Sequence, residues 1–182
     1  KASECGAIVV IDEAYHYFYN VTFMSMIKEY NNVIVLRTFS KLFSLAGCRI
    51  GYAVSRPEII TLLDKVRPTY CLNCVAVQFA ISLLDDKALV NQLIATEHAG
   101  REYLKSRLNE AEYQFYSQNG NYIFIKCTNK VDDVVAQLRQ RGILVKHYSH
   151  PLLEGYIRVS TGSVAVMERF WNEFYDIDNA KD

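Results

Sequence analysis

The chain has 182 residues, 51% hydrophobic and 22% charged, with a formal net charge of zero, the balance of an ordinary globular protein with a sizeable core. Neutrality excludes the basic footprint of a nucleic-acid or anionic-membrane binder, and no apolar run is long enough to span a bilayer. The five cysteines are odd in number and scattered, in a chain large enough not to need disulfides, and point to a reducing, cytosolic setting.

The sequence opens Lys1-Ala2-Ser3, without an initiator Met or a signal peptide, close before a strong strand signal. It is expected to be a piece of a longer protein. Ala7 to Ile11 is a continuous apolar, β-branched run that predicts a strand buried on both faces. Val21 to Tyr30 reads as a short helix, Val33 to Leu36 as a second buried strand, and Ile50 to Val54 as a third. Pro57 suits the first turn of a helix over Glu58 to Val66, and Val75 to Leu84 is a second, apolar helix. Strands alternating with helices predict an α/β architecture.

Asp86 to Ala111 reads as a long amphipathic helix, with Leu89, Leu93, Leu104 and Leu108 on one seam and Glu97, Arg101, Glu102, Lys105 and Glu110 elsewhere. It is expected to bridge into a second unit, dividing the chain into residues 1–85 and 86–182. Beyond it, Asn121 to Cys127 is a strand. Asn129 and Asp132 suit the start of a helix that turns Val131, Val134, Val135 and Leu138 inward and stops at Gly142. Ile143 to Val145 and Tyr156 to Ser160 are short strands, and Ser163 to Phe174 a closing amphipathic helix. Repeats, low-complexity tracts and flexible linkers are absent from the sequence.

The chemistry gathers around "RTFSKLFSLAGCRIGYA", Arg37 to Ala53. Lys41 follows an apolar strand, with Thr38, Ser40 and Ser44 nearby and Arg49 further on. A lysine in apolar surroundings is rarely buried unless it is paired or occupied. A Schiff base with an aldehyde would occupy it, and desolvation would lower its pKa for that purpose. Hydroxyls and a guanidinium suit a phosphate. Asp12 ends the first strand at the carboxyl edge, where α/β proteins place ligand groups, and its carboxylate could hold a pyridine nitrogen protonated. Aldehyde, phosphate and pyridine together make pyridoxal phosphate. Taken singly, Asp12 could be a turn residue, Tyr15 a packing residue, Arg49 an ion-pair partner and Arg158 an exposed strand residue. Cys71-x-x-Cys74 lacks a second pair to complete a zinc site, and His147 and His150 read as loop histidines, so no metal is expected.

Three motifs in this sequence, Asp12-Glu13-Ala14-Tyr15, Thr38-Phe39-Ser40-Lys41 and Leu45-Ala46-Gly47-Cys48-Arg49-Ile50-Gly51-Tyr52, carry a further message. Together they resemble the fold-type I pyridoxal-phosphate aminotransferases, most of all the histidinol-phosphate aminotransferase subfamily. The resemblance implies that Lys41 binds the cofactor covalently and shuttles protons, and that Asp12 contacts the pyridinium and Tyr15 the 3′-oxygen. It also implies that Ser40 and Arg49, with Thr38 close by, hold the phosphate. "YIRVSTG" and Asn121-Tyr122 are similar to the family's substrate-side segments, which puts Arg158 on the substrate's anionic end and Asn121 near it. The implied fold is the carboxyl-terminal part of the large cofactor domain, a mainly parallel sheet with helices, followed by the small α/β domain. The family's first half, with its phosphate nest and ring-stacking aromatic, is not in this sequence, so the chain alone is expected to be an inactive half. The resemblance further implies a small-molecule amino donor, a keto-acid acceptor, a homodimer in the complete protein and a cytoplasmic location, with no nucleic-acid or membrane partner. Lys146 stands where the subfamily commonly has arginine, and His147 to Gly155 departs from the usual loop. The substrate therefore stays open, as do a threonine-phosphate decarboxylase and a non-catalytic α/β module.

Overall fold

The computed structural model describes residues 1–19 and 21–180, and the chain divides into two compact units, Lys1–Leu93 and Ile94–Asp182. The first unit contains β1 (Val9–Asp12), α1 (Met26–Glu29), β2 (Val33–Thr38), β3 (Gly51–Val54), α2 (Pro57–Val66) and α3 (Cys74–Asp85). Its sheet runs β1-β2-β3, with β1 parallel and β3 antiparallel to β2. The long connection from Glu13 to Asn32 permits the parallel pairing. The shorter stretch between β2 and β3 turns back through a 3₁₀ turn at Ala46–Cys48. The α/β class stands, with a mixed sheet.

β2 is the middle strand, and Val33, Ile34 and Val35 are all buried. β1 departs from its expected burial on both faces, because among the described residues it has a ladder partner on one side only and Val10 stays 56% exposed. The helix expected over Val21–Tyr30 shrinks to the single turn of α1. The cause is local: the Thr22 hydroxyl and the Phe23 N–H both donate to the Glu13 carboxylate, which holds that stretch out of helical geometry. α2 starts at Pro57, and the Asn73 side chain caps α3 by accepting from the Val75 and Ala76 N–H groups.

α4 (Lys87–Glu110) runs across the division, which falls inside this helix. The second unit continues with β4 (Phe115–Ser117), β5 (Tyr122–Lys126), α5 (Val131–Gln140), β6 (Lys146–His147), β7 (Tyr156–Ser160) and α6 (Val164–Asp178). Its sheet is antiparallel, in the order β4-β5-β7-β6. Ile123 and Ile125 of β5 and Ile157 and Val159 of β7 point into one core with Leu104, Leu108, Val134, Leu138, Phe170 and Phe174. The alternate residues of both strands, Tyr122, Phe124 and Arg158 among them, take the other face.

Three expectations need correction here. The strand expected over Ile143–Val145 pairs only from Lys146, where the ladder with β7 begins. Asn129 does not cap α5. It donates through Nδ2 to the Ile177 and Ala180 carbonyls, while the buried Asp178 carboxylate accepts the N–H groups of Thr128 and Asn129. Glu97 and Arg101 are not on the solvent side of α4 but buried. Positions 97, 101, 104 and 108 lie on one stripe at spacings of four, three and four, so the charges share the face of Leu104 and Leu108. No helix among the described residues is long and apolar enough to cross a membrane.

Candidate active site

The parallel register Asp12↔Leu36 brings the ends of β1 and β2 side by side, and the Glu13 N–H donates to the Leu36 carbonyl at 2.9 Å to continue the pairing. Asp12 is exposed at this edge, one carboxylate oxygen accepting the Ala14 N–H at 2.9 Å. That is the turn role open to it from sequence, and it leaves a second oxygen for a ligand. Beyond β2, the Thr38 hydroxyl accepts the Ser40 N–H at 3.0 Å, which fixes the bend leading into Lys41. Lys41 is half-buried, its Nζ 5.3 Å from the centre of the Tyr15 ring, within cation–π range. Tyr15 and Lys41 are thereby brought together from the two strand ends.

Arg49 is less tightly assembled. It is exposed and donates through Nη1 to the Ala46 carbonyl at 3.0 Å. Among the described residues no hydrogen bond joins it to Ser40 or Lys41. It adopts φ 52° and Ser44 φ 55°, so left-handed, non-glycine backbone brackets this turn, a strain that folds tolerate mostly at functional segments. Gly51 follows because a Cβ there would lie 2.7 Å from the Arg37 carbonyl oxygen.

Beneath these residues lies a network that the sequence reading missed. Buried Glu13 accepts from Arg37 Nε at 3.1 Å and Nη2 at 2.9 Å, from the Thr22 hydroxyl, and from the Phe23 N–H at 2.6 Å. Burial alone would raise the Glu13 pKa, but the Phe23, Arg37 and Thr22 bonds outweigh it and hold the carboxyl below its ordinary value. Burial and the Arg37 charge likewise hold the His16 imidazole below its ordinary value, against the pull of Glu13. The available signal was position: Glu13 and Arg37 each follow directly on the paired Asp12 and Leu36.

The remaining two expected residues belong to the second unit. Arg158 sits on β7 opposite Phe124 on one side and Lys146 on the other. Its guanidinium carbon lies 5.4 Å from the Tyr122 ring centre and 5.8 Å from that of Tyr148, with Lys146 Nζ 4.9 Å from Tyr148. Arg158 Nε is buried with no hydrogen-bond partner among the described residues. Two cations directly opposite in a ladder repel each other, an arrangement that an anion between them would relieve. Asn121 precedes β5, its carbonyl accepting the Thr161 N–H at 2.9 Å. The other sequence candidates have local roles: His150 Nδ1 accepts the Leu152 N–H, His147 pairs with Asp132 at 3.2 Å, and the Cys71 sulfur accepts from Arg67.

The chain is thus an α/β protein with a lysine and an aspartate at adjoining strand ends of a mixed sheet and an arginine on a second sheet, which is antiparallel. The family model for aminotransferase class I and II matches residues 1–174, and the chain belongs to that family. The histidinol-phosphate aminotransferase of Geotalea daltonii is 37% identical over 169 residues, 92% of this chain and 49% of that protein. The crystal structure of histidinol-phosphate aminotransferase from Sinorhizobium meliloti, in complex with pyridoxal-5′-phosphate, matches with a TM-score of 0.81 and 25% identity, over 94% of this chain and 48% of that one. The enzyme of that name from Clostridium acetobutylicum shares the fold, with a TM-score of 0.84 at 20% identity over 97% and 56% of the two chains. The chain spans about half the length of the curated relatives it matches.

Proposed function

We propose that this chain carries the cofactor lysine and the substrate arginine of a pyridoxal-phosphate aminotransferase of the histidinol-phosphate aminotransferase kind. The observation that carries the reading is Lys41 Nζ over the Tyr15 ring at the paired ends of β1 and β2, in a chain that the aminotransferase family spans almost end to end.

The residues present fit the cofactor: an amine, a strand-end carboxylate with an oxygen to give, two hydroxyls and a guanidinium. When bound, pyridoxal phosphate supplies the aldehyde that takes up an amino group and the ring that withdraws electrons from the breaking bond. Lys41 would hold it covalently, and its Nζ amine would be the base that takes the proton from the substrate carbon bearing the amino group. Asp12 would keep the ring nitrogen protonated, and Tyr15 would donate to the ring oxygen. Ser40, Thr38 and Arg49 would bind the phosphate. Arg158, with Asn121 near it, orients the substrate by its anionic group, and Lys146 adds a second positive charge there. Residues 1–85 then end the large cofactor domain, and 86–182 form the small one.

The sequence relatives carry the transaminase name, which favours transamination over decarboxylation and over a non-catalytic module. On this reading the partners are a small-molecule amino donor and a keto-acid acceptor, and the full-length protein is a cytoplasmic homodimer. Borohydride reduction of the full-length protein with cofactor should fix the cofactor to Lys41, and Lys41→Ala should abolish both the trapping and turnover. Trapping on another lysine would place the attachment elsewhere and overturn the reading.

A further inference from the structure

We propose that the buried Glu97–Arg101 pair of α4, acting through Thr161, is a positioning device that sets where Asn121 and Arg158 stand. The proposal rests on the reading of Arg158 as the residue that binds the substrate's anion.

Placing two charges inside a protein carries a desolvation cost that apolar residues of similar size avoid. Leu104 and Leu108 fill the same stripe of the same helix fully buried, so leucine at 97 and 101 would continue an apolar seam. What the ion pair provides instead is a set of directed bonds. Glu97 Oε2 lies 3.3 Å from Arg101 Nη2, and Glu97 Oε1 accepts the Thr161 hydroxyl at 2.5 Å. Arg101 Nη1 donates to the carbonyls of Gln118 and Gly120, each at 3.3 Å.

The two segments held in this way are those that flank the candidate substrate residues. Gln118 and Gly120 lead into Asn121 and β5, and Thr161 leaves β7 directly after Arg158-Val159-Ser160. The Thr161 N–H donates to the Asn121 carbonyl, which locks the two segments to each other. Between the two charges, Gly100 brings the helix against the exit from β7. A Cβ at Gly100 would lie 1.9 Å from the Gly162 carbonyl oxygen and 2.7 Å from the Ser163 carbonyl carbon. No side chain fits there. The helix therefore abuts the strand exit at backbone distance, while Glu97 and Arg101 reach one to each segment.

Forked guanidinium recognition depends on placement to a fraction of an ångström. Among the described residues Arg158 Nε has no hydrogen-bond partner to fix it, and its other close neighbours are the faces of two rings, Tyr122 and Tyr148. Its position therefore follows the strand, and the end of the strand follows Thr161.

The test uses the isotopically labelled chain, titrated with inorganic phosphate while the Arg158 Nε–H resonance is followed, with Arg158→Lys identifying that signal. Thr161→Val should weaken phosphate binding roughly tenfold, the scale of one hydrogen bond to a charged group. Thr161→Ser, which keeps the hydroxyl, should stay within about twofold of the unaltered chain. A merely structural role would lower the melting temperature of the valine variant and leave the affinity of the folded chain where it was. Unchanged affinity in Thr161→Val overturns the proposal while leaving Arg158 as an anion residue. Absence of any phosphate response in the unaltered chain overturns the reading of Arg158 and this proposal with it. Should Thr161→Val fail to fold, Thr161→Ala removes the same hydroxyl with less bulk, and the same loss is expected; unchanged affinity there overturns the proposal equally.

Discussion

Residues 1–93 and 94–182 handle apolar surface in opposite ways. The second unit closes a continuous core of fourteen buried residues between α4, α5, α6 and one face of its sheet. The first relies on β2, on Phe39, Leu42, Phe43 and Ile50 around it, and on Ala76 and Ala80 of α3. Much of its remaining apolar surface meets solvent: Val66 is 79% and Phe79 58% exposed, and α3 is apolar on nearly every side, a pattern found in helices that are covered all round. The residues proposed to bind cofactor stand on the less enclosed unit, at strand ends tied together by Glu13 and Arg37. The proposed substrate arginine stands on a sheet whose other face is closed. Placement is therefore secured by an ion pair at the strand ends in the first unit and, in the second, by core packing on one face together with the Glu97–Arg101 pair.

The largest effect that would sharpen this contrast is in the second core. Phe174 is fully buried against Tyr113, Phe170 and Trp171, so Phe174→Ala should cost about 3–5 kcal/mol, a large fraction of a domain's stability. Phe79→Ala, at an exposed site, should change it by no more than about 0.5 kcal/mol. Urea unfolding followed by the single tryptophan, Trp171, measures the first, and circular dichroism the second. Equal costs would remove the contrast.

A smaller effect follows from the open edge. Among the described residues β1 has no strand partner on one side, with Ile8 and Val10 more than half exposed, and such edges recruit other strands. The chain should therefore self-associate as its concentration rises, and Val10→Lys should shift sedimentation toward the monomer without disturbing Trp171 fluorescence. Association that Val10→Lys leaves unchanged would show that some other surface carries it.

Much of the architecture was legible because periodicity reports burial: β2, α2, α3, α5 and β7 fall within a few residues of where pattern and caps put them. Lys41 and Tyr15 were legible through motif, and the structure brings them into contact. What escaped has a physical cause in each case. Three-residue β4 is too short to show a period. α1 was lost to side-chain bonds from Glu13, which no local propensity encodes. Glu97 and Arg101 were assigned to solvent by their charge, although their spacing from Leu104 placed them on the buried stripe. The burial of β1 was overestimated because an apolar run reports what a strand needs, and here the neighbours that would cover it are not among the described residues.

The smallest expected effect separates the units by pH. Glu13 is held below its ordinary value of 4.5, so the folded chain favours the carboxylate more strongly than the unfolded chain does. That stabilisation is complete above about pH 4.5 and is lost as pH falls through the lower folded value. His16 is held below 6.5, so between its folded value and 6.5 the unfolded chain binds the extra proton, and stability falls there too on acidification. Both groups lie in the first unit. In the second, burial beside Asp178 pushes the Cys127 thiol up to about 12 and raises the Tyr113 hydroxyl, shifts that act only in alkali. Glu102 is held low by Lys105, but that pair is solvent-exposed and contributes little. Mild acid should therefore loosen the first unit in two steps, seen as faster hydrogen exchange at Val33, Ile34 and Val35. Trp171 fluorescence should hold steady through the same range. Glu13→Gln should remove the lower step, and His16→Gln the upper one. A Trp171 signal that moved together with the β2 amides would mean that the two units unfold as one, and the division of labour drawn between them would fail.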